Sequence, residues 1–250
     1  MPIIQPHGPL PTVDVSTAVM HMKWDELTFV HWSYDPQDIQ RLLPAGLTVD
    51  TYEGRGWVSL VPFLMRVTIP GNRVRLPFIG RFPETNVRTY VTEPDGTQGI
   101  WFFSLDAGSL LGTLGGRIGY RLPYMWSDMS VGRSEGRVDY DCIRRMPGPK
   151  GATSRVTTQI AERYRAEELT ELDHWLSARW RLYSVMFGGL WGAHAIHEPW
   201  PLQKATLLRY DDELVSASGL PEPTGDSIVQ YAERVSVRIG APYRIHNPST

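Results

Sequence analysis

The chain has 250 residues, 42% of them hydrophobic and 21% charged, which is ordinary globular usage and enough for one large domain with a substantial core. A formal net charge of -2 leaves no basic footprint for nucleic acid or an anionic membrane surface. A single cysteine, Cys142, excludes an intrachain disulfide framework and a multi-cysteine metal site, and no apolar run approaches the ~20 residues that span a bilayer. These properties imply a cytoplasmic protein without nucleic-acid or membrane partners.

Residues 1–20 read as an extended arm, proline-rich and without the basic-then-apolar pattern of a secretory signal. Residues 21–250 then form a single domain. A strand is expected over 27–32. Asp35 and Pro36 start a helix, as N-cap and first helical position, and Pro44 and Gly46 stop it. Strands follow over 47–52 and 57–68, with Pro62 marking an edge, a bulge or a bend in the second. Pro70-Gly71-Asn72 is a turn, and 73–83 reads as a loop.

Residues 84–91 separate cleanly at a period of two. Thr85, Val87, Thr89 and Val91 are β-branched and suit a packed face; Glu84, Asn86, Arg88 and Tyr90 form the other. If that second face meets water, it is merely soluble. If it looks into a barrel, it is a row of reactive groups in a shielded cavity. Glu93-Pro94-Asp95-Gly96 turns the chain into an apolar strand over 100–105. Small residues and leucines at helical spacing occupy 107–119, and further strands are expected over 124–131, 137–143, 155–161, 181–187, 205–210 and 234–239. Thr170 opens a helix that runs to Arg179. Many short strands with few helices argue for a closed or nearly closed antiparallel sheet.

Several side chains are candidates for chemistry. Arg117 and Arg121 stand near Tyr120 and Tyr124, and a guanidinium binds a carboxylate in a bidentate way. They are either a substrate anchor or partners of structural acids such as Glu84 or Asp106. His194 and His197 do not follow the zincin order, and no third ligand accompanies them, so they read as hydrogen-bonded structural histidines and no metal is expected. Of the three lysines, Lys150 lies in a turn and Lys23 near the arm, leaving Lys204 as the one candidate for imine chemistry beside its reading as a surface lysine. Cys142, beside Asp141, reads as structural. Trp101 and Phe103 are expected on a pocket wall.

Taken together, Phe29-Val30-His31-Trp32, Leu43-Pro44-Ala45-Gly46-Leu47, Val61-Pro62-Phe63, the 84–91 strand, Phe102-Phe103-Ser104-Leu105-Asp106-Ala107, Leu122-Pro123-Tyr124 and His197-Glu198-Pro199-Trp200-Pro201-Leu202 resemble the YqjF-like family of uncharacterised bacterial proteins. That family is similar to the acetoacetate decarboxylase-like superfamily. The resemblance implies an α+β, mainly β fold: an antiparallel acetoacetate decarboxylase-like barrel with a few short helices, an internal apolar pocket and a homo-oligomeric state. In true acetoacetate decarboxylases a lysine pair follows a Gly-Tyr-Pro-type segment, and one lysine forms a Schiff base. Here the matching segment continues with Tyr124 and Met125, so the resemblance carries over the fold and pocket but not the imine route.

The expectation is a small-molecule enzyme of lyase, dehydratase, cyclase or isomerase type, with no cofactor, acting on a carbonyl- or carboxylate-bearing metabolite. Glu84 would be the acid/base, its pKa set by burial and Arg88. Arg117 or Arg121 would hold a carboxylate, Tyr120 or Tyr124 would donate to an oxyanion, and Asn86, Trp101 and Phe103 would contact substrate. The alternative is a non-catalytic ligand-binding barrel in which Glu84 and Arg88 form a satisfied ion pair.

Overall fold

The computed structural model describes residues 10–11, 15, 18–68 and 80–245. Its strands are β1 (Met20–Tyr34), β2 (Thr48–Val49), β3 (Gly56–Thr68), β4 (Arg81–Thr92), β5 (Gln98–Ala107), β6 (Tyr124–Ser134), β7 (Arg137–Met146), β8 (Thr153–Arg163), β9 (Arg181–Met186), β10 (Gly189–His197), β11 (Leu202–Asp212), β12 (Ile228–Ile239) and β13 (Tyr243–Arg244). The helices are short: α1 (Pro36–Gln40), α2 (Leu110–Gly119), α3 (Glu171–Ser177) and α4 (Leu214–Ala217).

Local chemistry fixes the helix starts. The Asp35 carboxylate accepts from the Gln37 amide at 2.8 Å with Pro36 at the first helical position. Thr170 and Asp173 form a reciprocal capping box ahead of α3. The β4–β5 turn closes through Gly96, whose φ of +84° suits glycine.

The thirteen strands described belong to one sheet, closed on itself by the β10–β12 and β4–β5 pairings. β12, β1, β3, β4, β5, β9 and β10 pair in succession, and β10 returns to β12. A second circuit leaves β5 through β6, β7, β8 and β11 and also returns to β12. The wall β12–β1–β3–β4–β5 is therefore shared by two barrel-like enclosures. Each has its own core: one around Leu27, Phe29, Phe63 and Val237, the other around Val30, Trp32, Leu60 and Tyr231. Alternate residues of β1 supply the two cores, as a strand with two buried faces must.

The expectation of a mainly β, barrel-like fold with a few short helices holds with one refinement. β5 pairs in parallel with both β6 and β9, so the sheet is mixed rather than purely antiparallel. Pro62 sits where β3 loses register with β1, between the Asp25–Leu64 and Val30–Leu60 pairs. A missing amide is tolerated at such a bulge, which settles the choice left open by sequence. The 70–72 turn and most of the 73–83 loop lie outside the described residues, whereas 81–83 are already strand. The 47–52 strand shrinks to Thr48–Val49. β10, α4 and β13 escaped the sequence pattern. β10 is interrupted by Gly189 and Gly192, and the latter leaves room for the Tyr243 ring, which an added Cβ would meet at 2.9 Å. The stretch with His194 and His197 is thus strand and not helix.

Candidate active site

β4 lies inside the shared wall, and every residue from Glu84 to Val91 is buried. Neither face of this strand meets water. Val87 packs into the second core, while Glu84, Asn86 and Arg88 point into the first enclosure. There they line a cavity of about 190 Å³. Its walls are otherwise almost wholly apolar: Met22 and Trp24 from β1, Phe63 and Met65 from β3, Phe82 from β4, Ile100, Phe102 and Leu105 from β5, Leu182 from β9 and Ala195 from β10. Gly112, Gly115 and Gly116 of α2, with Tyr120 and Tyr124 after it, form one side.

Glu84 is the acid of this cavity. The Tyr124 hydroxyl donates to its Oε2 at 3.0 Å. Burial, only partly offset by the Tyr124 and Asn86 hydrogen bonds, pushes the Glu84 carboxyl up to about 8, and Asp106 adds to the rise. At neutral pH it is a protonated acid facing apolar surroundings. Burial and the adjacent Glu84 raise the Tyr124 phenol well above its ordinary range, so it stays a donor. Arg88 is not among the causes of the Glu84 shift, contrary to expectation.

Asp106 is accounted for elsewhere. Its carboxylate takes two hydrogen bonds from Arg144, at 2.8 and 2.6 Å, and a third from Ser127. This buried strut joins β5 to β6 and β7 directly behind the start of Tyr124's strand. Neither Arg117 nor Arg121 pairs with it.

Arg88 is buried, its guanidinium 5.2 Å from the Phe29 ring centroid and 6.0 Å from that of Tyr90. No carboxylate among the described residues lies within ion-pair distance of it, and its Nε has no hydrogen-bond partner. The satisfied Glu84–Arg88 pair does not form. Asn86 Oδ1 is likewise buried without a partner. Tyr90 continues the row beyond the cavity, where its hydroxyl meets Ser59 Oγ at 2.9 Å and His31 Nδ1 at 3.3 Å.

The remaining candidates separate. Tyr120 lines the cavity, but its hydroxyl donates to the Gly240 carbonyl at 3.1 Å. Arg117 is exposed and bonds the Tyr124 carbonyl at 2.7 Å, tying the end of α2 to the strand that carries the phenol. Arg121 is exposed, over Phe187. Neither arginine lines the cavity. Trp101 and Phe103 also miss it; Ile100 and Phe102 stand there instead. The cause is a register shift: Val87 pairs with Ser104 but Arg88 with Phe102, so Phe103 is the extra residue of a bulge and reverses the facing of β5. A matching irregularity in β1, where Glu26 has φ +50°, lets Met22 and Trp24 share a side with Leu27 and Phe29.

No lysine lines the cavity among the described residues. Lys204 is held on the surface by Glu162 and Glu168 at 3.0 and 2.9 Å. His197 is buried between the carbonyls of Glu198 and Arg179, a structural role. Cys142 is buried, and desolvation pushes its thiol up, away from the reactive thiolate. Sequence reasoning missed the apolar liners from β1, β3 and β9, which are indistinguishable from ordinary core residues until the ring closes.

The family model DUF2071, described as "Uncharacterized conserved protein", matches residues 21–236. The chain is similar to the "Uncharacterized protein YqjF" of Bacillus subtilis (strain 168), at 34% identity over 219 residues, 88% of this chain and 89% of that one. Its fold is similar to that of an acetoacetate decarboxylase-like enzyme from Sphingomonas wittichii RW1, with a TM-score of 0.63 and 15% identity over 96% of this chain and 100% of that one. It is also similar to the enduracididine biosynthesis enzyme MppR complexed with pyruvate, with a TM-score of 0.66 and 12% identity over 98% and 99% of the two chains.

Proposed function

We propose, from the premise that the chain belongs to the DUF2071 family and has an acetoacetate decarboxylase-like fold, that it is a small-molecule enzyme performing acid/base chemistry on an oxo or carboxylate-bearing metabolite. The observation that carries this reading is Glu84: a carboxyl poised near 8, held by the Tyr124 hydroxyl, in a cavity with no competing acid on its wall among the described residues. Such a group both gives and takes a proton at neutral pH. Tyr124 fixes one carboxyl oxygen and Asn86 adds a further hydrogen bond, which orients the carboxyl towards a bound carbonyl. In its ionised fraction Glu84 takes a proton from the carbon beside that carbonyl, and as the acid it returns one. Members of the lyase, dehydratase, cyclase and isomerase classes use this transfer. The structural neighbour MppR is described as binding pyruvate, which suits a carbonyl-bearing ligand in this fold. With Tyr124 where the resemblance implies a lysine, and Lys204 held in surface ion pairs, the chemistry runs without an imine. The single cysteine fits a cytoplasmic setting.

The test is solvent deuterium exchange, followed by NMR, into a panel of oxo acids of graded length, with binding followed by thermal shift. The wild type incorporates deuterium beside the carbonyl, and Glu84→Gln keeps binding while losing exchange by about 100-fold or more. Binding without exchange in the wild type would instead make this a ligand-binding barrel. Borohydride trapping yields no covalent adduct; an adduct would overturn the imine-free route.

A further inference from the structure

We infer that the ligand of this cavity is an elongated monocarboxylic acid, with an apolar body separating its carboxylate from the carbonyl that meets Glu84. The inference rests on reading this cavity as the functional site, and goes on to the shape and charge of what fills it.

Arg88 is the only guanidinium or ammonium on the cavity wall among the described residues. It is 4% exposed and has no carboxylate of the described residues within ion-pair reach. An isolated buried cation is costly, and aromatic faces such as Phe29 and Tyr90 compensate it only in part. A ligand carboxylate completes the site, because a guanidinium presents a fork of donors that fits it. With one cation on its wall the cavity pairs one negative charge; Trp24, whose buried Nε1 has no partner, adds a neutral donor.

Geometry sets the length. Glu84 and Arg88 share one face of β4, four residues apart, so their Cα atoms are ~13 Å apart at the usual strand rise. The bulge lies in β5, so β4 itself keeps this extended spacing. The Arg88 guanidinium lies between the rings of Phe29 and Tyr90, 5.2 and 6.0 Å from their centroids. Phe82, Phe102 and Leu105 line the same cavity and offer only apolar contact. Within this stretch Asn86 Oδ1 is a single buried acceptor without a partner, placed for one hydroxyl or N–H on the ligand body. On this spacing a ligand that reaches both groups is longer than pyruvate or acetoacetate, whose carbonyl adjoins or nearly adjoins the carboxylate.

The experiment is calorimetric titration of the full chain with straight-chain methyl-ketone carboxylic acids, from pyruvate and acetoacetate to homologues long enough to span the two groups. Affinity should rise by about fourfold per added methylene to an optimum well beyond acetoacetate. At that optimum the acid should bind at least about tenfold tighter than its carboxamide, and Arg88→Met should remove the difference. The acid–amide comparison uses the wild type alone, so it stands even if Arg88→Met fails to fold. Equal binding of short and long acids, equal binding of acid and amide, or no binding at any length overturns the inference. The catalytic reading fails separately. If the length and charge profile holds but exchange does not depend on Glu84, only the acid/base assignment falls. If exchange depends on Glu84 but the profile is flat, only the ligand class falls.

Discussion

Glu84 shows how one residue's setting converts an ordinary side chain into a functional one. Its carboxyl moves from 4.5 to about 8 because the wall that carries it is buried on both faces. The consequence for stability has a definite sign. The folded state holds the proton up to about 8, whereas the unfolded chain releases it near 4.5, so the Glu84 contribution is complete below 4.5 and is lost as pH rises through 8. Glu84→Gln carries no such proton. Two units of that window lie between pH 6 and pH 8, so the stability of wild type relative to Glu84→Gln should fall by about 2–3 kcal/mol between pH 6 and pH 9. Urea unfolding at the two pH values measures it, and an unchanged difference would mean that Glu84 is ionised in the fold. The alternation over 84–91 was legible in sequence, but the Tyr124–Glu84 bond was not: the 120–124 phenols were expected to donate to a substrate oxyanion. Arg117 was legible as important but not as what it is. Its bond to the Tyr124 carbonyl depends on how α2 packs, which spacing alone does not reveal.

At the scale of elements, α2 presents an unusual compromise. Four of its ten residues are glycine, which weakens a helix by ~1 kcal/mol each relative to alanine. The reason differs along the helix. A Cβ on Gly116 would meet the Tyr124 ring at 2.3 Å, so glycine there lets the helix backbone lie against the phenol that holds Glu84. A Cβ on Gly115 meets nothing within 4 Å. Gly115→Ala should therefore raise stability by ~0.5–1 kcal/mol, and Gly116→Ala should lower it despite the better helix propensity. Thermal unfolding of the two variants separates these, and stabilisation by both would show that Gly116 is not packing-restricted. The bulges are the other decisive elements. The sequence of β5 alternates plausibly in either register, so Trp101 and Phe103 were as reasonable as Ile100 and Phe102. Only the pairing of Val87 with Ser104 and Arg88 with Phe102 selects between them.

At the scale of the whole molecule, the shared wall ties the two enclosures into one structure. β12 pairs with β1, β10 and β11, and β5 pairs with β4, β6 and β9, so these strands cannot open without breaking both circuits. Hydrogen exchange should leave the amides of β1, β3, β4, β5 and β12 protected longest and those of α2 and β13 least. Exchange from α2 as slow as that from β4 would contradict this. The sequence by itself determined the elements and their chemistry: caps, turns, the two-faced strand, the absence of a lysine after Pro123 and membership of a mainly β class. These are local, set by backbone preferences and by the period of two. Only the tertiary structure decided that both faces of β4 are buried, that Arg88 has no acid partner among the described residues, that Arg117, Arg121, Trp101 and Phe103 stand away from the cavity, and that each circuit closes through one parallel joint to β5. Each of these depends on which strands become neighbours and in what register, and the same local patterns are compatible with several such arrangements.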